Sequence, residues 1–419
     1  MIRVKQFPKD KGLDHTLDLL KEGYLFIGHR ANRYQTDLFQ TRLMGKKVIC
    51  MTGEAGAKMF YNPRLFERKG VMPRRVKETL IGKGGVQGLD GRAHTNRKAF
   101  LMSLVNEAQE EELIKLAIKE WDKAIKTWQS RSQIILFEEA RQILCKVACE
   151  WAGIPLSEQQ VGEVAEALSE MIFGFGRIGA MHWKGRTSRN KLEAWLKNVI
   201  QAIRRNELKA KHDTILYQVS YYKDEMGRLL APKVAAVELL NLIRPIVAIA
   251  VYITFAATAL YENPAYKVRL ALDNEGDKDR FNEEVRRYYP FAPFVGAKVR
   301  RNFIWRGYPF KKGTLVLLDL YGTNHDERLW REPYTFNPDR YKKEKKNLYS
   351  FMPHGGGSIK GHRCMGERIT MAMMNIALDI LVNKISYEFP PQDLSYRLSC
   401  IPTLPKSGVM MSHIERVKR

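Results

Sequence analysis

Apolar residues recur at intervals of three and four through the middle of the chain. That spacing predicts helices from Glu107 to Trp128, Phe137 to Trp151, Glu158 to Phe173, Ser188 to Leu208 and Pro232 to Tyr261. Strand-like pieces are shorter: VICMTG near the N-terminus, NFIWRGYPFKKGTLVLLDL in the C-terminal third, and SYEFP with GVMMSHI near the end. The pattern describes a mainly α (α+β) chain with a helix-rich body and small sheets at one side. No repeat, low-complexity tract or Gly/Ser linker interrupts it, so residues 1–419 read as one domain at the upper end of single-domain size.

One stretch, LIRPIVAIAVYITFAATALY from Leu242 to Tyr261, approaches bilayer-spanning length. Arg244 and Pro245 stand near its start and polar, helix-compatible sequence runs straight into it. It is therefore expected to be a helix buried in a large soluble protein, with no transmembrane segment. The N-terminal MIRVKQFPKDKGLD has no apolar core of a secretory leader. Five cysteines, at positions 50, 145, 149, 364 and 400, are odd in number and lack CxxC spacing, which argues against a disulfide framework or a zinc site and for a reducing cytoplasm. Cys145 and Cys149 share a helix face and read as core. The net charge of +24 favours anionic partners in general. Without a basic run flanked by aromatic repeats it reads as a solvated surface, and no nucleic-acid partner is expected.

The most informative segment is FMPHGGGSIKGHRCMG, residues 351–366, followed directly by the apolar helical pattern ERITMAMMNIALDILVNKI. Cys364 thus ends a glycine-rich loop at a helix N-terminus, where dipole and free backbone N–H groups favour a thiolate and glycines permit close approach of a flat partner. His362 and Arg363 offer cations for an anionic ligand. A buried structural cysteine beside a loop would present the same segment. In FNEEVRRYYPF, Glu284 and Arg287 are three apart on one helix face and can pair, and in TFNPDRY Arg340 supplies a second guanidinium.

An ExxR helix, a downstream FxPxR-like arginine and a cysteine before xG, in this order and spacing, resemble the cytochrome P450 family across nearly the whole chain. The resemblance implies that fold, with haem b held between a long central helix and the cysteine loop. It makes Cys364 the axial thiolate and metal ligand, which pushes electron density onto iron. Glu284, Arg287 and Arg340 become a structural ion network behind the haem. His94 and Lys98, four apart in GRAHTNRKAF, resemble a propionate-binding pair, with His362, Arg68 and Tyr289 as further haem contacts.

Two departures narrow the resemblance. Gly357 replaces the usual phenylalanine seven residues before the cysteine, within a GGG run, and the long helix lacks the acid–threonine pair that commonly relays protons, carrying Arg244 and Pro245 instead. With stretches such as KGLD, EVRRYYPF, LDLYGTNHD and GHRCMGE, this is similar to the bacterial fatty-acid peroxygenase branch. Pro245 cannot donate to the Asn241 carbonyl, so a kink is expected there. Arg244 can hold a carboxylate in a fork, which lysine does not reproduce. The branch therefore implies long-chain fatty acids and hydrogen peroxide as partners, with no dedicated redox partner. The substrate carboxylate then supplies the missing acid and base, and hydroxylation falls at Cα or Cβ, with decarboxylation to a terminal alkene as a side outcome. By match to the family, Gln87 faces the haem and leans the outcome toward hydroxylation, while Ile81, Ile172, Phe175, Phe291 and Phe294 line the acyl chain. Three other readings remain: a reductase-dependent monooxygenase of the same fold, a non-catalytic haem carrier or sensor, and a basic nucleic-acid or lipid-surface protein.

Overall fold

The computed structural model describes residues 5–272, 276–343 and 346–417; the first four residues of the N-terminal stretch read for a leader fall outside the described residues. Helix Glu107–Trp128 begins where Asn106 accepts a hydrogen bond from the Gln109 backbone N–H at 3.0 Å. It buries Leu113, Leu116, Ala117, Trp121 and Ile125, the stripe that the sequence pattern marks. Helix Glu158–Gly174 starts on a capping box made by Ser157 and Gln160. Helix Leu136–Ala152 ends at Gly153, whose left-handed φ of 71° stops it, and carries Cys145 and Cys149 in its buried face. The fourth predicted helix is displaced, running Ala180–Arg204. Its first two turns lack a clear apolar period, and Asn206, at φ 60°, turns the chain away before Leu208.

The long helix, Pro232–Glu262, has Pro232 in its first turn, where the missing N–H has no partner to lose. It is apolar on every side because helices Leu136–Ala152, Ala180–Arg204 and Glu367–Asp379 surround it. Its most membrane-like window is 89% buried in protein. The helix continues through Pro245, where the bond to the Asn241 carbonyl is lost.

Three sheets lie to the side of this body. The largest orders Leu38–Leu43, Lys46–Met51, Leu315–Asp319, Phe294–Val299 and Phe66–Glu67, all neighbours antiparallel except the second and third. The run NFIWRGYPFKKGTLVLLDL resolves into a hairpin, Phe303–Trp305 with Tyr308–Phe310, and the central strand Leu315–Asp319. SYEFP and GVMMSHI fall in Ile385–Glu388 and Met410–Arg416, which pair with each other, and the latter also pairs with Gln133–Ile135. Leu38–Leu43, Phe66–Glu67, Gln133–Ile135 and Phe294–Val299 escape the apolar pattern. Phe66–Glu67 and Gln133–Ile135 have only two and three residues, and the two six-residue strands carry polar or small residues, Gln40, Thr41 and Arg42 in one and Gly296 and Lys298 in the other.

Candidate active site

A cavity of about 350 Å³ opens between the long helix and the segment around Cys364. Cys364 is the only cysteine among the described residues lining it. Cys50, Cys145 and Cys149 are core, and Cys400 accepts a hydrogen bond from Arg177 Nη1 at 3.0 Å. The Cys364 backbone N–H donates to the His354 carbonyl at 3.3 Å, and helix Glu367–Asp379 begins three residues on. Burial pushes the thiol upward despite a backbone hydrogen bond from Gly366 and the Lys98 charge. The helix N-terminus does not offset that burial by itself, and a bound metal ion would favour the thiolate form. The glycine run also packs closely against Tyr61, while Gly361 and Gly366 of the same segment line the cavity. A Cβ on Gly356 would stand 2.6 Å from the Leu348 carbonyl and 3.0 Å from the Tyr61 ring, so the loop folds tightly over Tyr61.

Arg68, His94, Lys98 and His362 all line the cavity. Helix Gly91–Ser103 puts His94 and Lys98 on one face. Lys98 Nζ donates to the Arg363 carbonyl at 3.0 Å, one residue before the cysteine, and the rings of His94 and His362 stack at 4.1 Å. Burial, with Arg68 and the neighbouring cations, holds His362 down at about 3, and burial with Lys98 lowers His94. Burial also lowers Arg68, to about 10. Asp90, 3.7 Å from His362 Nε2, is a negative neighbour of Arg68, His94 and His362 that does not offset their burial, and acid side arms in the cavity would add to it. Arg363 also lines the cavity, but its Nε is engaged by Glu367 at 2.8 Å.

From the long helix, Asn241, Arg244, Pro245, Ile246 and Ile249 face the same space. Arg244 is 7% exposed, donates from Nη1 to the Leu80 carbonyl at 2.7 Å, and leaves Nε buried without a partner. Burial and the charge of Arg189 pull its guanidinium down to about 9. Gln87 and Ile81 line the cavity as expected.

The other nominated residues lie elsewhere. Tyr289 donates to Glu262 at 3.0 Å and stacks on Phe255, away from the cavity. Ile172 is packed in its own helix face, and Phe175 follows that helix without reaching the cavity wall. Phe291 stacks on Tyr252 at 4.4 Å, one layer back. Phe294 packs against the Phe26 and Leu317 cluster, although the next two residues of its strand, Val295 and Gly296, do line the cavity. Two consecutive residues of the strand reach the cavity, so its edge rather than one face meets that space.

Behind the cysteine the ion network is fully buried. Arg287 forks Glu284 with two bonds of 2.8 Å, and Arg340 Nε donates to Glu284 at 3.1 Å. Backbone carbonyls of Asn324, Pro333 and Arg331 take further guanidinium protons. A second network was missed from sequence: Arg286 joins Glu283 at 2.7 Å and Glu367 at 2.5 Å, tying the ExxR helix to the helix after the cysteine. The doubled arginine in EVRRYY and the glutamate in MGE were its only signal.

This donor set fits a metal macrocycle bearing acid arms. Among the described residues no three His, Cys, Asp or Glu side chains converge on a metal position, so iron would bring its other donors with it. One thiol and four cationic groups face a cavity whose described lining contains no Asp or Glu.

Residues 279–406 match the family model for cytochrome P450. Cytochrome P450EX alpha (CYP152N1), solved with myristic acid, aligns at 40% identity and a TM-score of 0.95 over 99% of this chain and all of its own. A single-substitution variant of cytochrome P450 OleT, solved with arachidonic acid, aligns at 33% identity and a TM-score of 0.95, over 99% of this chain and all of that one. Among curated proteins, cytochrome P450 3A15 of Cavia porcellus is 33% identical over 131 residues, 30% of this chain. That match spans about a quarter (24%) of the curated relative's length.

Proposed function

The chain belongs to the cytochrome P450 family, in its CYP152 group, and on that premise we propose that it is a haem-thiolate peroxygenase acting on long-chain fatty acids. The observation that carries the reading is the pairing of a buried, under-satisfied Arg244 with a cavity whose described lining contains no carboxylate. A buried guanidinium without an anion is costly, and the acid that completes it also provides the proton-transfer group that the chain lacks.

Haem, when bound, supplies the redox centre at which peroxide is cleaved and a C–H bond is oxidised. Cys364 would hold its iron, and Arg68, His94, Lys98 and His362 would pair with its propionates. Arg244 receives the fatty-acid carboxylate through charge-assisted bonds in a site from which water is largely excluded. The carboxylate so held takes a proton from one peroxide oxygen and returns it to the other, which leaves as water. Net, a C–H bond and hydrogen peroxide become C–OH and water. Because the headgroup is anchored, Cα and Cβ are the carbons presented for oxidation. Gln87 faces the same space and, by resemblance, favours hydroxylation over loss of carbon dioxide.

No protein reductase is needed in this scheme. The test is turnover of myristic acid with hydrogen peroxide as sole oxidant, products identified by mass spectrometry. We expect α- or β-hydroxy acids, with about 100-fold or more lost in Arg244→Ala. Acetate added to the wild type should occupy Arg244 and permit oxidation of substrates that lack an acid group, and should not do so in Arg244→Ala. Turnover that appears only with a reductase would reject the reading.

A further inference from the structure

The Leu80 carbonyl accepts from two buried arginines on different helices. Arg244 Nη1, on the long helix, donates at 2.7 Å, and Arg189 Nη1, on Ala180–Arg204, donates at 2.5 Å. A carbonyl oxygen has two lone pairs, and each guanidinium takes one. Arg189 is 1% exposed and is itself fixed by Glu193, whose Oε1 accepts from its Nε at 2.6 Å. Gly82 leaves room for this arrangement: at φ 79°, a Cβ there would stand 2.2 Å from Arg189 Nη2 and 2.7 Å from Val237.

We propose, resting on the reading of Arg244 as headgroup anchor, that Arg189 is a positioning residue for the substrate carboxylate: through the Leu80 carbonyl it sets the angle at which Arg244 presents its fork. Among the described residues that carbonyl is the only hydrogen-bond partner of the Arg244 guanidinium, whose Nε has none. The orientation of the fork therefore rests on one oxygen. Leu80 sits in the short Lys77–Ile81 turn, which ends at Gly82; Arg186, pairing with Glu78 at 3.4 Å, and Arg189, through the Leu80 carbonyl, tie that turn to helix Ala180–Arg204. Two like charges at one carbonyl repel, which is tolerable because Glu193 offsets Arg189 and the arriving acid offsets Arg244. Arg189 is absent from the cavity wall, so it acts on the headgroup through the Leu80 carbonyl and Arg244, while any effect through the neighbouring Ile81 would fall on acid and alcohol alike.

The test is calorimetric binding of myristic acid and of myristyl alcohol to the haem-loaded enzyme. The proteins are the wild type, Arg244→Ala, Arg189→Lys, and the double variant Arg189→Met with Glu193→Met, which leaves no orphaned charge. We expect the double variant to bind the acid about tenfold more weakly and the alcohol unchanged, with about threefold loss for the acid in Arg189→Lys. Lysine keeps the charge but cannot hold Glu193 and Leu80 in one fork. Equal weakening of acid and alcohol would mean that Arg189 merely shapes the pocket, and unchanged acid binding would mean that it does nothing for the headgroup; either overturns the proposal. Should the double variant not fold, Arg189→Lys decides by the same comparison. Wild-type acid affinity in Arg244→Ala would instead remove the anchor itself, a failure distinct from that of Arg189.

Discussion

Asn241 Nδ2 donates to Gln87 Oε1 at 3.1 Å, linking residues 154 positions apart across the cavity. The same Nδ2 reaches Glu238 Oε2 at 3.3 Å, and Glu238 Oε1 is held by Arg97 at 2.7 Å. Burial pushes the Glu238 carboxyl up, with Arg97 working against it. The Gln87 amide on the cavity wall is thus aimed by a chain of buried groups.

Asn241→Leu should release Gln87 and change the ratio of α- to β-oxidised product by about threefold, since one buried hydrogen bond is lost. Haem content should stay at the wild-type level. Product analysis by mass spectrometry decides it, and an unchanged ratio would show that Gln87 needs no such support.

Lys98→Met should loosen haem. Its ammonium is drawn down by burial and bonds the carbonyl next to Cys364, so its removal takes away both a propionate partner and a tie on the cysteine loop. Haem transfer to a scavenging apoprotein should quicken about tenfold. Equal transfer rates would place the propionates elsewhere.

Glu284→Gln leaves Arg287 and Arg340 buried without their shared anion. Breaking one side of such a network costs about 3–5 kcal/mol. Urea unfolding of the variant should show that loss; a drop under about 1 kcal/mol would mean that the carbonyls around the arginines suffice.

Asp319 closes the central strand with one oxygen accepting from the Gly322 N–H at 2.8 Å and the other buried without a partner. Burial raises its carboxyl to about 7, above the 3.8 of an unfolded chain. The folded state therefore keeps a proton that the unfolded state has lost between these values. Stability from this group is full below about pH 4 and falls as pH rises to about 7, by ~4 kcal/mol in all. Asp319→Asn keeps the bond to Gly322 and should flatten that slope, so denaturation series at pH 5 and pH 8 compare it with the wild type. An unchanged slope would mean that Asp319 ionises freely.

Residue order alone marks the helices with a strong apolar period, the cysteine at a helix start, the Glu284 and Arg287 spacing, and the Arg244–Pro245 pair in the long helix. These are legible because each lies within one or two turns, where periodicity and side-chain spacing already fix who faces whom. Tertiary structure decided what depends on distant segments meeting. It left Tyr289 and Phe291 outside the cavity lining and brought Val295 and Gly296, not Phe294, to it. It also brought Arg189, Leu80 and Arg244 to one oxygen. No local pattern records such meetings, because burial and pairing between remote residues are properties of the packed chain and not of any window along it.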